Sequence, residues 1–202
     1  MAVREVIRPV IQSTIFPSTV FGPEAGLGAP ANTFPPLGFF TVSDVTISAN
    51  SVVFACEISM PVLGTGRGVL IEMGASGVGF AVAYNGSNNF VFRTGAGSGG
   101  IDPPGNTTAA FNLSGGSIPV GTGTLVAAVD RVGGNLRIRG WWNGGLLSSA
   151  TAVNSGGTNW AGTNPGAYGT INTSVVNNID TTSFNGTLIS DLRYYEDVTI
   201  PG

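Results

Sequence analysis

Histidine and lysine are both missing from this 202-residue chain, and cysteine occurs once, as Cys56. Without imidazole there is no Ser-His-Asp or Cys-His nucleophile and no histidine-bound metal. Without lysine there is no P-loop phosphate clamp and no Schiff base. A single cysteine excludes an intrachain disulfide framework and a cysteine-rich zinc site. It lies in the apolar run Val52-Val53-Phe54-Ala55-Cys56, which predicts a buried, inert thiol. Charge is scarce too. Charged residues make up 9% of the chain, the net charge is −3, and all eight basic residues are arginine; an average domain is about a quarter charged. Backbone contact with DNA or RNA runs through clustered cations. The one local cluster, Arg131, Arg137 and Arg139, is small, so no nucleic-acid partner is expected. No stretch of 18 apolar residues is present, so no spanning helix and no membrane partner is expected. Met1-Ala2-Val3-Arg4-Glu5 lacks the basic start and long apolar stretch of a signal peptide, which predicts cytoplasmic synthesis.

What the chain does contain is apolar residues (42%), 32 glycines and many Ser, Thr and Asn. That mixture predicts short strands joined by tight turns, because Gly and Asn supply the positive φ that turns demand. With so little charge, its surface is either hydroxyl and amide or covered by partners. Residues 1–40 read as an extended N-terminal arm. They hold Pro9, Pro17, Pro23, Pro30, Pro35 and Pro36, half of all the prolines, and proline cannot sit in a central ladder. The arm is also apolar. Ile7, Val10, Ile11, Ile15, Phe16 and Phe21 are its candidate docking residues, and they, like Phe34, Phe39 and Phe40, need cover from their own domain or from a neighbouring subunit.

Residues 41–202 read as one β domain. Period-two alternation and turn punctuation predict strands at 41–48, 51–59, 67–73, 78–84, 89–94, 107–113, 123–130, 135–142, 146–152, 169–175 and 184–195. Loops are expected at 95–106 and 154–167. Asn85-Gly86, Asn143-Gly144 and Asn185-Gly186 are hairpin or turn signals, as is Gly133-Gly134-Asn135. Strands every 8–12 residues imply a sandwich or barrel.

The segment order from 51 to 197 resembles the concanavalin A-like family, in particular laminin-G-like and pentraxin-like jelly rolls. The likeness is carried by Ser51-Val52-Val53-Phe54-Ala55-Cys56-Glu57-Ile58, by Gly68-Val69-Leu70-Ile71-Glu72-Met73-Gly74 with Gly79-Phe80-Ala81-Val82, and by the hairpin Gly123 to Leu146 with its Asn-Gly turn. It is strongest in the closing strand Phe184-Asn185-Gly186-Thr187-Leu188-Ile189-Ser190-Asp191-Leu192-Arg193-Tyr194-Tyr195. The resemblance implies an all-β, antiparallel jelly-roll β-sandwich. Laminin-G-type domains often hold calcium through rim Asp and Asn residues; no such pair maps here, so no metal and no cofactor is expected.

Catalytic and binding chemistry can then be tested residue by residue. Gly95-Ala96-Gly97-Ser98-Gly99-Gly100 matches the dinucleotide glycine pattern, but Ile101-Asp102-Pro103-Pro104 cannot open the helix that would hold a pyrophosphate. Glycoside hydrolysis needs two carboxyl groups facing one cleft. Glu57 and Glu72 stand alone on their strands, and adjacent Glu196 and Asp197 point to opposite faces; a pair from distant segments stays open. Sugar binding needs an exposed ring beside amide and charged groups. Trp141 with Arg139 and Asn143, or Trp160 with Asn159 and Asn164, are candidate platforms; Trp141 could equally be covered by a subunit, and Trp160 by its own loop. The sequons at Asn85, Asn106, Asn112, Asn172 and Asn185 are read as coincidence. The main expectation is a non-enzymatic virion structural protein, such as a phage capsid decoration or fibre component. Its expected partners are a major capsid protein or further copies of itself in a homo-oligomer. The alternative is a lectin-like module that binds surface glycans.

Overall fold

The computed structural model describes residue 24 and residues 26–40, 45–46, 51–60, 68–75, 78–84, 90–96, 111–114, 121–132, 135–152, 159–160, 166–171, 183–196 and 198–200. Among them the chain forms strands and no α-helix. In order these are β1 (Asn32–Phe34), β2 (Gly38–Phe40), β3 (Val45–Thr46), β4 (Val52–Met60), β5 (Gly68–Ala75), β6 (Val78–Tyr84), β7 (Phe90–Ala96) and β8 (Phe111–Ser114). They continue as β9 (Gly121–Val132), β10 (Asn135–Trp142), β11 (Gly145–Ala152), β12 (Asn159–Trp160), β13 (Gly166–Tyr168), β14 (Thr187–Leu188) and β15 (Leu192–Glu196). Sheet A runs β1-β15-β4-β9-β10-β11, with β14 also on β4; sheet B runs β2-β13-β5-β6-β7-β8; β3 and β12 pair separately. Every named ladder is antiparallel.

Local chemistry explains the best-formed hairpin. Asn143 and Gly144 carry φ of +48° and +82°, the mirror-image turn whose twist matches that of the flanking strands. Asn143 reinforces it: its N–H donates to the Thr124 carbonyl at 2.9 Å, and its Oδ1 accepts the Thr124 N–H at 2.8 Å. The turn joins β10 to β11, and β10 lies in register with β9, Ile138 facing Val129.

The core follows from alternation. Val52, Phe54, Cys56, Ile58 and Met60 of β4 face inward with Leu125, Ala127 and Val129 of β9, against Ile71, Val82, Tyr84, Phe90 and Phe92 from sheet B. Each Val, Leu, Ile, Phe or Met among them contributes about 1.5–3 kcal/mol when fully buried. The intervening residues do not face water. Val53, Ala55, Val126, Ala128, Trp141 and Tyr195 form a second buried cluster on the outer face of sheet A, packed against Leu27, Val198 and Ile200. Burial on both faces explains why β4 opens with the unbroken apolar run Val52-Val53-Phe54-Ala55-Cys56.

The ends of the chain supply this cover. β1 adds to the free side of β15, Asn32 facing Tyr194, and β2 adds to β13, Phe39 facing Ala167. The turn Pro35-Pro36-Leu37 therefore steps from the edge of one sheet to the edge of the other. Both proline-flanked strands sit at edges, where a missing donor is tolerated.

Three expectations need correction. The segment 154–167 is not all loop, since β12 and the start of β13 fall within it; Ala167 and Tyr168 are held by pairing on both sides, a tertiary effect that periodicity cannot show. Of the strand expected at 169–175, residues 169–171 are not in a strand, Gly169 carrying a φ of +71°, and 172–175 lie outside the described residues. The closing strand 184–195 is split into β14 and β15, because Ile189 and Ser190 both turn their N–H groups to the Glu57 carbonyl, at 2.9 and 3.3 Å.

Gly140 lies on β10 directly beneath the Phe92 ring, where any Cβ would collide. Gly140→Ala is expected to destabilise the fold by about 1–3 kcal/mol through overpacking. Urea denaturation would show this as a lower midpoint at unchanged slope.

Candidate functional site

The first candidate set lies on the outer face of sheet A. Asp130 on β9 is clamped by two arginines of β10. Arg137 Nε donates to Oδ1 at 2.9 Å while its Nη2 contacts Oδ2, and Arg139 Nη2 donates to Oδ2 at 3.2 Å. The hydrogen bond to Asp130 pushes the Arg137 guanidinium pKa up, whereas burial pushes that of Arg139 down. Arg139 also stacks on Trp141, its Cζ 5.1 Å from the ring centroid, a cation–π contact. Trp141 points outward, as alternation implies, yet only 7% of it is exposed. It belongs to the cluster under Leu27, Val198 and Ile200, so the chain's own ends cover it. Asn143 is exposed, but its side-chain oxygen is committed to the turn. Arg139, Trp141 and Asn143 thus come together without forming an open platform.

A side-chain group that sequence reasoning passed over holds this cover in place. Glu24, fully buried, accepts from Arg193 Nε at 2.5 Å and Nη2 at 3.0 Å, and from the Tyr195 hydroxyl at 2.6 Å. Arg193 Nη1 also reaches Ser190 Oγ at 3.3 Å, and that oxygen accepts the Glu57 N–H at 2.9 Å. On the C-terminal side, Ser51 Oγ donates to the Val198 carbonyl. The Tyr195 pKa is raised, by burial first and by its bond to Glu24 second. The available signal was Glu24 itself, the only acidic residue between Glu5 and Asp44. In a chain so poor in charge, a lone carboxylate amid apolar neighbours marks a partner elsewhere.

The second candidate set is placed elsewhere. Asn159 and Trp160 form β12, which pairs with Thr46 and Val45 of β3. β12 approaches β6, whereas β13 pairs with β2 and β5. The two candidate platforms sit on different sheets, Trp141 on sheet A and Trp160 on the separate β3–β12 pair. On the arm, Ile7, Val10, Ile11, Ile15, Phe16 and Phe21 lie outside the described residues, while Phe40 is buried and Phe39 is not.

Catalytic groups are scarce among the described residues. No three Asp, Glu, Cys or His converge in the way a metal would need. Asp130 and Glu24 are both neutralised by arginine. Burial pushes the Cys56 thiol up to about 12, against a smaller opposing effect of its hydrogen bond with Tyr168.

Two outcomes follow from these contacts. At pH 8 the raised thiol leaves about one Cys56 in ten thousand as thiolate, so a thiol reagent should label it only after unfolding. Because the folded-state value lies above the ordinary one of 9.0, the thiol's contribution to stability is complete below pH 9 and declines as pH rises towards 12. Glu24→Ala leaves the Arg193 charge unpaired; breaking such a buried pair costs about 3–5 kcal/mol. Part of that loss should appear as local release of residues 26–34, read as faster amide exchange there and a shift in Trp141 emission.

No protein-family model matches the sequence, and no curated protein matches it. Solved structures do match. The CBM40 of the Ruminococcus gnavus IT-sialidase, bound to α2,6-sialyllactose, is 12% identical with a TM-score of 0.51, over 83% of this chain and 92% of that one. The same module bound to α2,3-sialyllactose is 12% identical with a TM-score of 0.50, over 83% and 94%. A heptameric SAP-like pentraxin from Limulus polyphemus is 16% identical over 87% and 73%, at a TM-score of 0.47. At such identities the likeness speaks to architecture, and the chain has the concanavalin A-like jelly-roll sandwich that its sequence resembles.

Proposed function

We propose that this chain is a non-catalytic glycan-binding module whose sugar site lies on the sheet B side, at the β3–β12 pair that carries Asn159 and Trp160. The observation carrying this reading is the sandwich itself, shared over most of both chains with modules solved with a sialyllactose bound. Fold likeness supports a function by analogy only; the position of the site rests on this chain. Trp141 is closed over by Leu27, Val198 and Ile200, and Arg139 stacks on its ring, which removes one of the two tryptophan platforms. The other lies on a short strand pair outside the two main sheets, and binding residues sit outside central strands more often than within them. Asn159 and Trp160 are successive on β12 and so belong to opposite faces of the pair; the site is therefore assigned to the Trp160 face, an aromatic ring being the element sugar recognition uses most.

A second reading, surface docking within an assembly such as a virion, is favoured by one observation: Leu37, Phe39 and Ile189 remain exposed at the sandwich edge.

Binding of the full chain to an array of sialylated and neutral oligosaccharides tests the first reading. Trp160→Ala is expected to weaken binding about tenfold, equivalent to about 1.4 kcal/mol, while Trp141→Phe leaves it unchanged. An array without any retained glycan would overturn the function. Full binding by the Trp160→Ala protein would overturn the site alone.

A further inference from the structure

The segment from Glu24 to Phe34 is a strap, and the rest of the chain holds it at several separate places. At its start the Glu24 carboxylate accepts from Nε and Nη2 of Arg193 and from the Tyr195 hydroxyl. Three residues on, Leu27 packs against the outer cluster of sheet A. Ala31 then donates its N–H to the Tyr194 carbonyl at 2.8 Å, and β1 pairs with β15, Thr33 facing Arg193. Phe34 ends the strap, stacked on Phe40 at 4.4 Å and tilted against Tyr194 at 6.4 Å. All of these partners lie beyond a short connection, Pro35-Pro36-Leu37, and that connection is strained. Each proline has its φ fixed at about −65°, so the positive φ falls on Leu37, at +55°. Glycine adopts that region freely, whereas a leucine side chain does so at a cost.

We propose that two copies of this chain exchange their straps, the segment from Glu24 to Phe34 of each docking on sheet A of the other, with Pro35-Pro36-Leu37 as the hinge. Three features select a second copy over an unrelated partner. The receptor is fitted to this sequence, with a guanidinium and a hydroxyl converging on one carboxylate, then an apolar bed, then the β15 edge. A second copy carries the matching groups in the same order, so exchange repeats each contact and loses none. Opening the hinge returns Leu37 to a negative φ in both chains, and consecutive prolines favour the extended geometry that an open hinge needs. A strap docked nowhere would leave the Arg193 guanidinium and the apolar face beneath Leu27 without cover, so a strap that leaves its own sheet is driven onto another. Exchange is reciprocal and closes at two copies, because each gives one strap and receives one. Lost translational freedom opposes it, so the monomer prevails when dilute and the exchanged dimer when concentrated.

Annealing of the full chain tests this independently of any sugar. Wild-type protein warmed close to its unfolding midpoint at near-millimolar concentration, then cooled, should yield a species of twice the chain mass. That species should survive dilution to low micromolar for hours, because separation requires both straps to undock. A chain that is wholly monomeric after annealing overturns the proposal, as does a dimer that separates within seconds of dilution. Leu37→Gly relaxes the closed connection and should lower the dimer association constant roughly tenfold; an unchanged constant overturns the hinge. The exchange itself is read from two charge-reversed chains, Glu24→Arg and Arg193→Glu. Each alone sets like charges against one another, whereas a mixed dimer brings Glu24 to Arg193 in one half and the reversed pair together in the other. Unfolded and refolded as a mixture, they should form a one-to-one heterodimer in excess of either homodimer by native mass spectrometry. A mixture that stays unfolded, or gives no such excess, overturns the exchange.

Discussion

Where β4, β9, β10 and β15 lie side by side, sheet A is buried on both faces, and most of what distinguishes this molecule follows from that constraint. One face builds the interior of the sandwich with Phe54, Ile58, Leu125 and Val129. The other presents Val53, Ala55, Val126, Ala128, Trp141 and Tyr195, a surface no isolated antiparallel sheet would leave to water. The protein meets this with its own ends: residues around Glu24 and Leu27 from one side, Val198 and Ile200 from the other. A third layer is thus laid on part of a two-layer fold. The Glu24 carboxylate sets its position, because a fully desolvated charge is tolerated only where several donors converge on it, and Arg193 and Tyr195 occupy that one place.

Much of the architecture was legible beforehand, and for a consistent reason. Where strands are long and pair with sequence neighbours, alternation and turn chemistry agree. The expected strands at 78–84 and 135–142 match β6 and β10, and the Asn143-Gly144 turn adopts the geometry its residues favour. The failures cluster where pairing is distant in sequence. β13 is held between β2 and β5, and nothing in Gly166-Ala167-Tyr168 alone announces either neighbour. The break between β14 and β15 depends on the Glu57 carbonyl more than a hundred residues earlier.

The site was less legible than the fold. Period two showed correctly that Trp141 and Ile138 face opposite ways, but periodicity names the residues on a face without saying what lies over it. Alternation leaves Trp141 either exposed or covered by a subunit; it is covered by the chain itself. Phe39 and Phe40 are chemically identical neighbours with opposite fates. Phe40 stacks on Phe34, ring centroids 4.4 Å apart, while Phe39 is left outside. Only the pairing of β2 with β13 decides which of the two is which.

The cover over sheet A also gives the molecule a direction. Glu24 and Leu27 reach that face from one part of the chain, Val198 and Ile200 from another, so a label placed at Leu27 or Val198 is carried on that flank. β12 and Phe39 belong to the other side of the sandwich or to the seam between the two sheets. A surface attached at those positions would hold the sandwich by its back and leave its opposite side turned outward.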